Sequence, residues 1–167
     1  MARSDSFFIR ASVTETATDQ YKQEAIDLGS FVDALGKSVL RIHNIAVSFT
    51  DANGRSPDMA VGEAAAQFQL CTQSQADIVL PSNRSIIASG MVNANATVAG
   101  VAGSVSHDLD NLPQMWTNGY LVAVSEIFLG TSASVKWSDD VTCSIVMECT
   151  VETMTQAAAM ALALSQQ

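Results

Sequence analysis

Apolar and polar side chains alternate along several stretches of this chain, and the clearest stretch runs from Thr142 to Thr153. There the apolar side chains occupy every second position, with Ser, Thr and Glu among the residues between them. A period of two residues is typical of a β-strand with one buried face. Comparable stretches recur along most of the chain, so the pattern predicts a domain built from sheets.

Further strands are predicted on the same grounds, separated by segments rich in turn-forming residues such as the one from Asp51 to Pro57. The segment from Ser85 to Ser106 consists almost entirely of small residues; it predicts tightly packed strands, with a flexible linker as the alternative. The other predicted strands are Phe7–Thr14, Tyr21–Leu28, Val39–Thr50, a segment around Phe68 and Leu70, Ile78–Leu80 and Tyr120–Leu129.

Two of these strands depart from simple alternation. In Val39–Thr50 the apolar positions change parity, which predicts a β-bulge near His43 and Asn44. Tyr120–Leu129 is apolar on both faces, which predicts a strand covered on both sides. Its second cover is either a neighbouring subunit or the C-terminal helix.

A C-terminal helix is predicted over Gln156–Gln167, a segment rich in Ala, Leu and Met that contains no Gly or Pro. Thr153 and Gln156 have the spacing of a capping box. Because apolar side chains nearly encircle this segment, we expect it to be buried on the sheet or on another chain. It is too short to cross a bilayer.

The count of seven to nine strands and one terminal helix, without alternation of strands and long helices, predicts an antiparallel fold. We expect a jelly-roll β-sandwich or barrel of about eight strands. The predicted division is an N-terminal arm at residues 1–6, a β-domain at residues 7–153 and a helix at residues 154–167.

Composition adds two constraints. Charged residues make up only 15% of the chain, against about 25% in typical proteins; this favours a surface hidden against copies of itself, with a compact monomer covered by Ser, Thr, Asn and Gln as the alternative. The net charge is −9, and Lys and Arg form no cluster. Direct binding of nucleic acid is therefore not expected.

Chemistry-bearing residues are sparse, and no catalytic motif is present. We predict no enzymatic activity, no cofactor and no resident metal. His43 is expected to be a structural histidine, whereas His107, Asp108 and Asp110 have donor types that suit a cation, with solvated loop acids as the alternative. Asp139 and Asp140 are expected to lie in a turn. Asn83 and Asn95 match the glycosylation pattern.

The three cysteines, Cys71, Cys143 and Cys149, are expected to be free. Two cysteines six positions apart on one strand lie about 20 Å apart, which is too far for a disulfide. Trp116 and Trp137 lie beside predicted strand ends. Their rings suit an interface, stacking on sugars or core packing.

The strands Val39–Thr50, Tyr120–Leu129 and Thr142–Thr153 give the chain a pattern that resembles the single jelly-roll capsid proteins of icosahedral viruses. Many such proteins that touch a genome carry a basic N-terminal arm, and Arg3 and Arg10 alone do not make one. The chain is more similar to shell proteins of archaeal and bacterial viruses whose DNA lies inside an internal membrane. The resemblance implies a virion protein, made in the host cytoplasm, that contacts copies of itself and other virion proteins. Contact with a membrane, without spanning it, is compatible with this role.

Self-assembly through edge strands, the arm and the helix is the predicted mechanism. The alternatives are a filament or tail-tube subunit and a non-catalytic sugar-binding β-sandwich. The predicted interface residues are Arg10, Trp116, Trp137, Met154, Met160, Leu162 and Leu164.

Overall fold

The computed structural model describes residues 4–16, 19–33, 37–98, 104–107 and 114–167, with residues 104–107, 114 and 115 described by their backbone alone. These residues form nine strands and one helix. The elements are β1 Phe7–Glu15, β2 Lys22–Asp27, β3 Ser38–Thr50, β4 Gly62–Cys71, β5 Ile86–Ala96, β6 Ser104–His107, β7 Gln114–Val122, β8 Glu126–Ala133, β9 Val141–Thr153 and α1 Gln156–Ser165.

The strands form two antiparallel sheets, one with the order β1-β9-β3-β7 and one with the order β2-β8-β4-β5-β6. Four pairings are nested within one another along the chain: β1 with β9, β2 with β8, β3 with β7 and β4 with β5. A long hairpin that is wound around a core gives this nesting, which is the jelly-roll arrangement. The predicted jelly-roll sandwich is confirmed, and β6 is added at the free edge of β5.

Alternation along each strand builds the core between the sheets. On β9 the side chains of Cys143, Ile145, Met147 and Cys149 are buried, while the residues between Cys143 and Cys149 are only partly buried. On β4, Phe68 faces the same core and is 1% exposed. The two inner faces thus interdigitate as in other β-sandwiches.

The predicted bulge in β3 is confirmed. Ile42 is opposite Cys149, but the next paired residue is Asn44, which is opposite Glu148, so His43 is the extra residue. The bulge keeps both Ile42 and Ile45 in the core although they are three positions apart. The inserted residue shifts the alternation by one position, so that the apolar side chains on both sides of the bulge point into the core.

The prediction of a single strand from Tyr120 to Leu129 is wrong. The segment contains the end of β7, a short connection and the start of β8, which lie in different sheets. It is apolar on both faces because its side chains are buried against two different parts of the chain: Val122 and Ile127 face the core, and Ala123 faces α1. A single copy of the chain shields these side chains.

Ile78–Leu80 is also not a strand. This segment lies over β4, where Val79 N–H donates to Gln69 Oε1 at 2.9 Å and the Gln69 amide donates to the carbonyl of Asp77. A side chain thus takes the backbone bonds that a neighbouring strand would make. The small-residue segment from Ser85 to Ser106 contains β5 and β6 rather than a flexible linker.

The helix starts at Gln156 as predicted, but its N-cap is Thr155, whose side chain accepts from Ala158 N–H. Thr153 is the last residue of β9 and does not cap the helix. Within a single copy only Ala159 and Ala163 of the helix are buried, so burial of its other apolar side chains on another chain stays a prediction. These two alanines pack against Val39 and Ala123 on the outer side of the four-stranded sheet.

Candidate functional site

The predicted interface residues divide into exposed and internal groups. Arg10, Met160 and Leu164 are exposed, with Leu164 at 69% and Met160 at 42%. Met154 and Leu162 are partly buried and pack against the small cluster between α1 and the sheet.

The two tryptophans serve the interior. Trp137 is 6% exposed, and its indole N–H donates to the carbonyl of Ala65 at 3.0 Å. Trp116 is partly buried against the main core, with its ring centroid 5.8 Å from that of Tyr120.

The outer face of α1 carries an apolar stripe formed by Ala157, Met160, Ala161 and Leu164, which we call the α1 stripe. All four side chains are exposed. Their spacing of three, four and seven residues places them on one side of a helix. No residue from Met154 to Gln167 is charged, so the stripe is a neutral surface on a chain of net charge −9.

Hydrogen bonds of Gln166, just after α1, hold the helix in place, and we call them the C-terminal latch. The Gln166 side chain accepts from Ala123 N–H at 2.9 Å and donates to the carbonyl of Leu121 at 2.6 Å. It therefore satisfies the backbone just where β7 ends at the edge of its sheet. The main-chain carbonyl of Gln166 accepts from the hydroxyl of Thr72 at 2.8 Å, so the latch joins the two sheets.

Polar side chains fill a cleft of about 470 Å³ beside the β3 bulge. Arg41 donates two hydrogen bonds of 2.7 Å to the carboxylate of Glu152, and a third goes to the carbonyl of Asn118. The bonds to Glu152 raise the pKa of Arg41 above its usual value. His43 Nε2 lies 2.9 Å from the hydroxyl of Thr150. The groups of this cleft bind one another, which fits the structural role expected for His43.

The described cysteines are free and buried, as predicted. Burial raises the pKa of Cys71 to about 12, and burial together with the nearby charge of Glu148 raises that of Cys149 to about 12. Burial also raises the pKa of Cys143. Because the thiolate is the reactive form, these thiols are suited to packing rather than to nucleophilic chemistry.

Among the described residues, no group of three or more His, Cys, Asp and Glu side chains is placed to hold a metal ion. Asp108 and Asp110 lie outside the described residues, and for His107 only the backbone, at the end of β6, is described. Asp139 and Asp140 border an open cleft of about 670 Å³. No helix in the described parts of the chain is long and apolar enough to span a membrane.

The most informative surface signals were only partly visible in the sequence. Met160 and Leu164 are predicted interface residues, and in a single copy their side chains are exposed. Alternation places Phe8 in a predicted strand but does not show how exposed it is. Its side chain is 55% exposed, and the guanidinium of Arg10 lies 5.7 Å from its ring centroid. Gln166 carried no signal, because its partners are backbone groups about 45 residues away in sequence.

No family model and no curated protein matches this chain. Solved structures with a similar fold include VP1 of trichodysplasia spinulosa-associated polyomavirus in complex with GM1 oligosaccharide. The identity is 6%, the match covers 89% of this chain and 95% of that chain, and the TM-score is 0.46.

VP1 of Merkel cell polyomavirus in complex with disialyllactose matches at 5% identity over 87% of this chain and 96% of that chain, with a TM-score of 0.44. The unassembled VP1 pentamer of the same virus matches at 6% identity over the same shares of each chain, with a TM-score of 0.41. These structures are viral capsid proteins. At such low identity, the similarity of this chain to polyomavirus VP1 concerns the fold alone.

Proposed function

We propose that this chain is a structural protein that assembles with copies of itself into the shell of an icosahedral DNA virus of an archaeon or a bacterium. The observation that carries the proposal is the α1 stripe, an apolar helix face left uncovered on a helix that is otherwise held firmly. The two-faced segment around residue 125 gives no support, since one copy of the chain covers it.

The α1 stripe has the properties of a weak, repeatable contact. Full burial of a Leu or Met side chain contributes about 1.5–3 kcal/mol, and Leu164 and Met160 have 69% and 42% of their surface left to bury. A contact on this helix is worth little by itself against the cost of association. Many such contacts acting together hold a closed assembly.

The fold and the net charge also support a shell protein. Jelly rolls are used in viral capsids and also in lectins and cupins, so the fold supports the proposal by analogy. With a net charge of −9 and no cluster of Lys and Arg, the chain does not neutralise phosphates. That suits a shell whose genome is enclosed by an internal membrane.

The test is assembly of the purified chain at increasing concentration and salt, observed by negative-stain microscopy and sedimentation velocity. We expect closed particles. Leu164→Glu places a charge in the α1 stripe and should abolish them, whereas the matched variant Leu80→Glu, at a side chain that is 75% exposed elsewhere, should leave them intact. A chain that stays monomeric under all conditions, or equal behaviour of the two variants, would contradict the proposal.

Two further outcomes are informative. Deletion of Met154–Gln167 should also block assembly, but it uncovers Val39 and Ala123, so its effect includes a loss of subunit stability. Complete particles formed by that truncated chain would exclude a role for the helix. Tubes or filaments in place of closed particles would support the tail-tube or filament alternative.

A further inference from the structure

The described strands have four sheet edges, and three of them are protected against pairing with another chain. Charges, short length and a covering group are the usual protections. In β2, Lys22, Glu24 and Asp27 occupy three of six positions. β6 has only four residues, and β7 is irregular, with a register shift against β3 and with its end covered by the side-chain amide of Gln166.

β1 is the least protected of the four edges: among its exposed side chains only Arg10 is charged. Its nine residues pair with β9 in an unbroken register, and none of the described strands lies on its other side in the sheet. It contains no Pro, no Lys and no bulge. Ser4, just before the strand, also bonds β9: its N–H donates to the carbonyl of Val151 at 3.0 Å, one residue out of the β1–β9 register. A long, regular edge of this kind is a template for one more strand.

We propose that the strand added to β1 is β1 of a second copy, antiparallel to it about a two-fold axis at Ile9. The two four-stranded sheets then become one continuous sheet of eight strands. This inference deepens the proposed self-assembly by naming one of its contacts, and it is tested separately from it.

Side chains on the exposed face of β1 select both the partner and the register. Arg10 is the one charged residue among the exposed residues Phe8, Arg10, Ser12 and Thr14. An axis at Arg10 would place it opposite the partner's Arg10, and like charges directly opposite each other are unfavourable.

An axis at Ile9 places Phe8 opposite the partner's Arg10, and the same contact recurs on the other side of the axis. The Phe8 ring already holds a guanidinium of its own chain at 5.7 Å and remains 55% exposed. Cations are attracted to aromatic faces. This register also brings Ser4 opposite the partner's Thr14, so that the pairing covers residues 4–14, which are most of the strand and its N-terminal extension. The edge is thus complementary to itself.

Charge variants at Phe8 test the contact, with dimerisation measured by sedimentation velocity. Phe8→Lys faces the partner's Arg10 and should weaken the dimer by roughly tenfold, because two like-charge pairs form per dimer. Phe8→Glu should bind more tightly than Phe8→Lys, and Phe8→Lys combined with Arg10→Glu should restore association. The control Leu80→Lys should have no effect. Since Phe8 is exposed, the fold should tolerate these changes.

Cysteine cross-linking tests the register directly. Directly opposite residues of an antiparallel pair have Cα atoms about 4.5–5.5 Å apart, which suits a disulfide. Ile9→Cys should therefore form a disulfide-linked dimer under oxidation, whereas Ala11→Cys should not, because it lies four residues from its own counterpart. The native thiols are buried and should not interfere.

Cross-linking of Ala11→Cys in place of Ile9→Cys, or equal dimerisation of the Lys and Glu variants at Phe8, would overturn the inference. The proposed shell is tested independently of this β1 contact. Particles that form without either β1 effect would remove this contact and leave the shell, while a β1 dimer that never assembles further would remove the shell and leave this contact.

Discussion

The C-terminal latch gives the sharpest test of how this fold is closed, through the substitution Gln166→Ala. Gln166 is 5% exposed, and its side chain makes two hydrogen bonds to the backbone of the β7 edge. The substitution leaves the N–H of Ala123 without a partner, and Ala123 is 1% exposed. A buried donor left unsatisfied costs about 1–3 kcal/mol.

The carbonyl of Leu121 loses its donor as well, at about 1 kcal/mol. We therefore expect Gln166→Ala to lower the free energy of unfolding by about 2–4 kcal/mol, a large share of the 5–15 kcal/mol typical of a domain. Gln167→Ala is the matched control, because it makes the same substitution at the next position. Gln167 is exposed, so this variant should stay within about 0.5 kcal/mol of the natural chain.

Urea denaturation followed by circular dichroism measures both variants, and an unchanged m-value shows that the same unfolding reaction is compared. Hydrogen exchange at the amide of Ala123 separates local release of the helix from global unfolding. If Gln166→Ala is as stable as Gln167→Ala and the amide of Ala123 remains protected, the latch does not hold the helix, and the reasoning fails.

Three further predictions concern the core and pH. Phe68→Ala should cost about 3–5 kcal/mol through a core cavity, and the exposed Phe8→Ala should cost far less; equal losses in urea denaturation would contradict the packing described. Gly130→Ala makes the added Cβ clash with the hydroxyl of Tyr21, so it should destabilise the chain by about 1–3 kcal/mol; the same substitution in a Tyr21→Ala variant should cost much less. The raised pKa of Cys71, about 12, means that the folded state keeps a proton that the unfolded chain releases near pH 9. Stability should therefore fall as pH rises above about 9, and Cys71→Ala should fall less steeply in denaturation curves taken from pH 8 to pH 11.

The sequence alone identified most of the strands, because each strand carries its evidence within itself. Alternation with a period of two residues indicated β1, β3 and β9, and a change of parity located the bulge at His43. The same local patterns indicated an antiparallel jelly roll. They are reliable here because burial on one face of a strand is decided by neighbouring positions.

Signals that cross from one element to another were misread. The apolar segment from Tyr120 to Leu129 predicted one strand with two covered faces, but the chain changes sheets there. The apolar circumference of α1 predicted burial on the sheet or on another chain, and it could not tell how much of the helix one sheet covers: Leu164 and Met160 are exposed in a single copy. Periodicity reports which residues are apolar and cannot report how much cover the rest of the chain supplies.

By itself, then, the sequence determined most of the strands, the class of fold and the lack of a basic cluster, all of which depend on residue type and local spacing. Only the tertiary structure decided which edges stay open, which apolar side chains stay uncovered and where Gln166 closes the sheet. The physical reason is that exposure is set by the groups that come to lie opposite a residue, and in a jelly roll these come from distant parts of the chain, as β1 beside β9 shows.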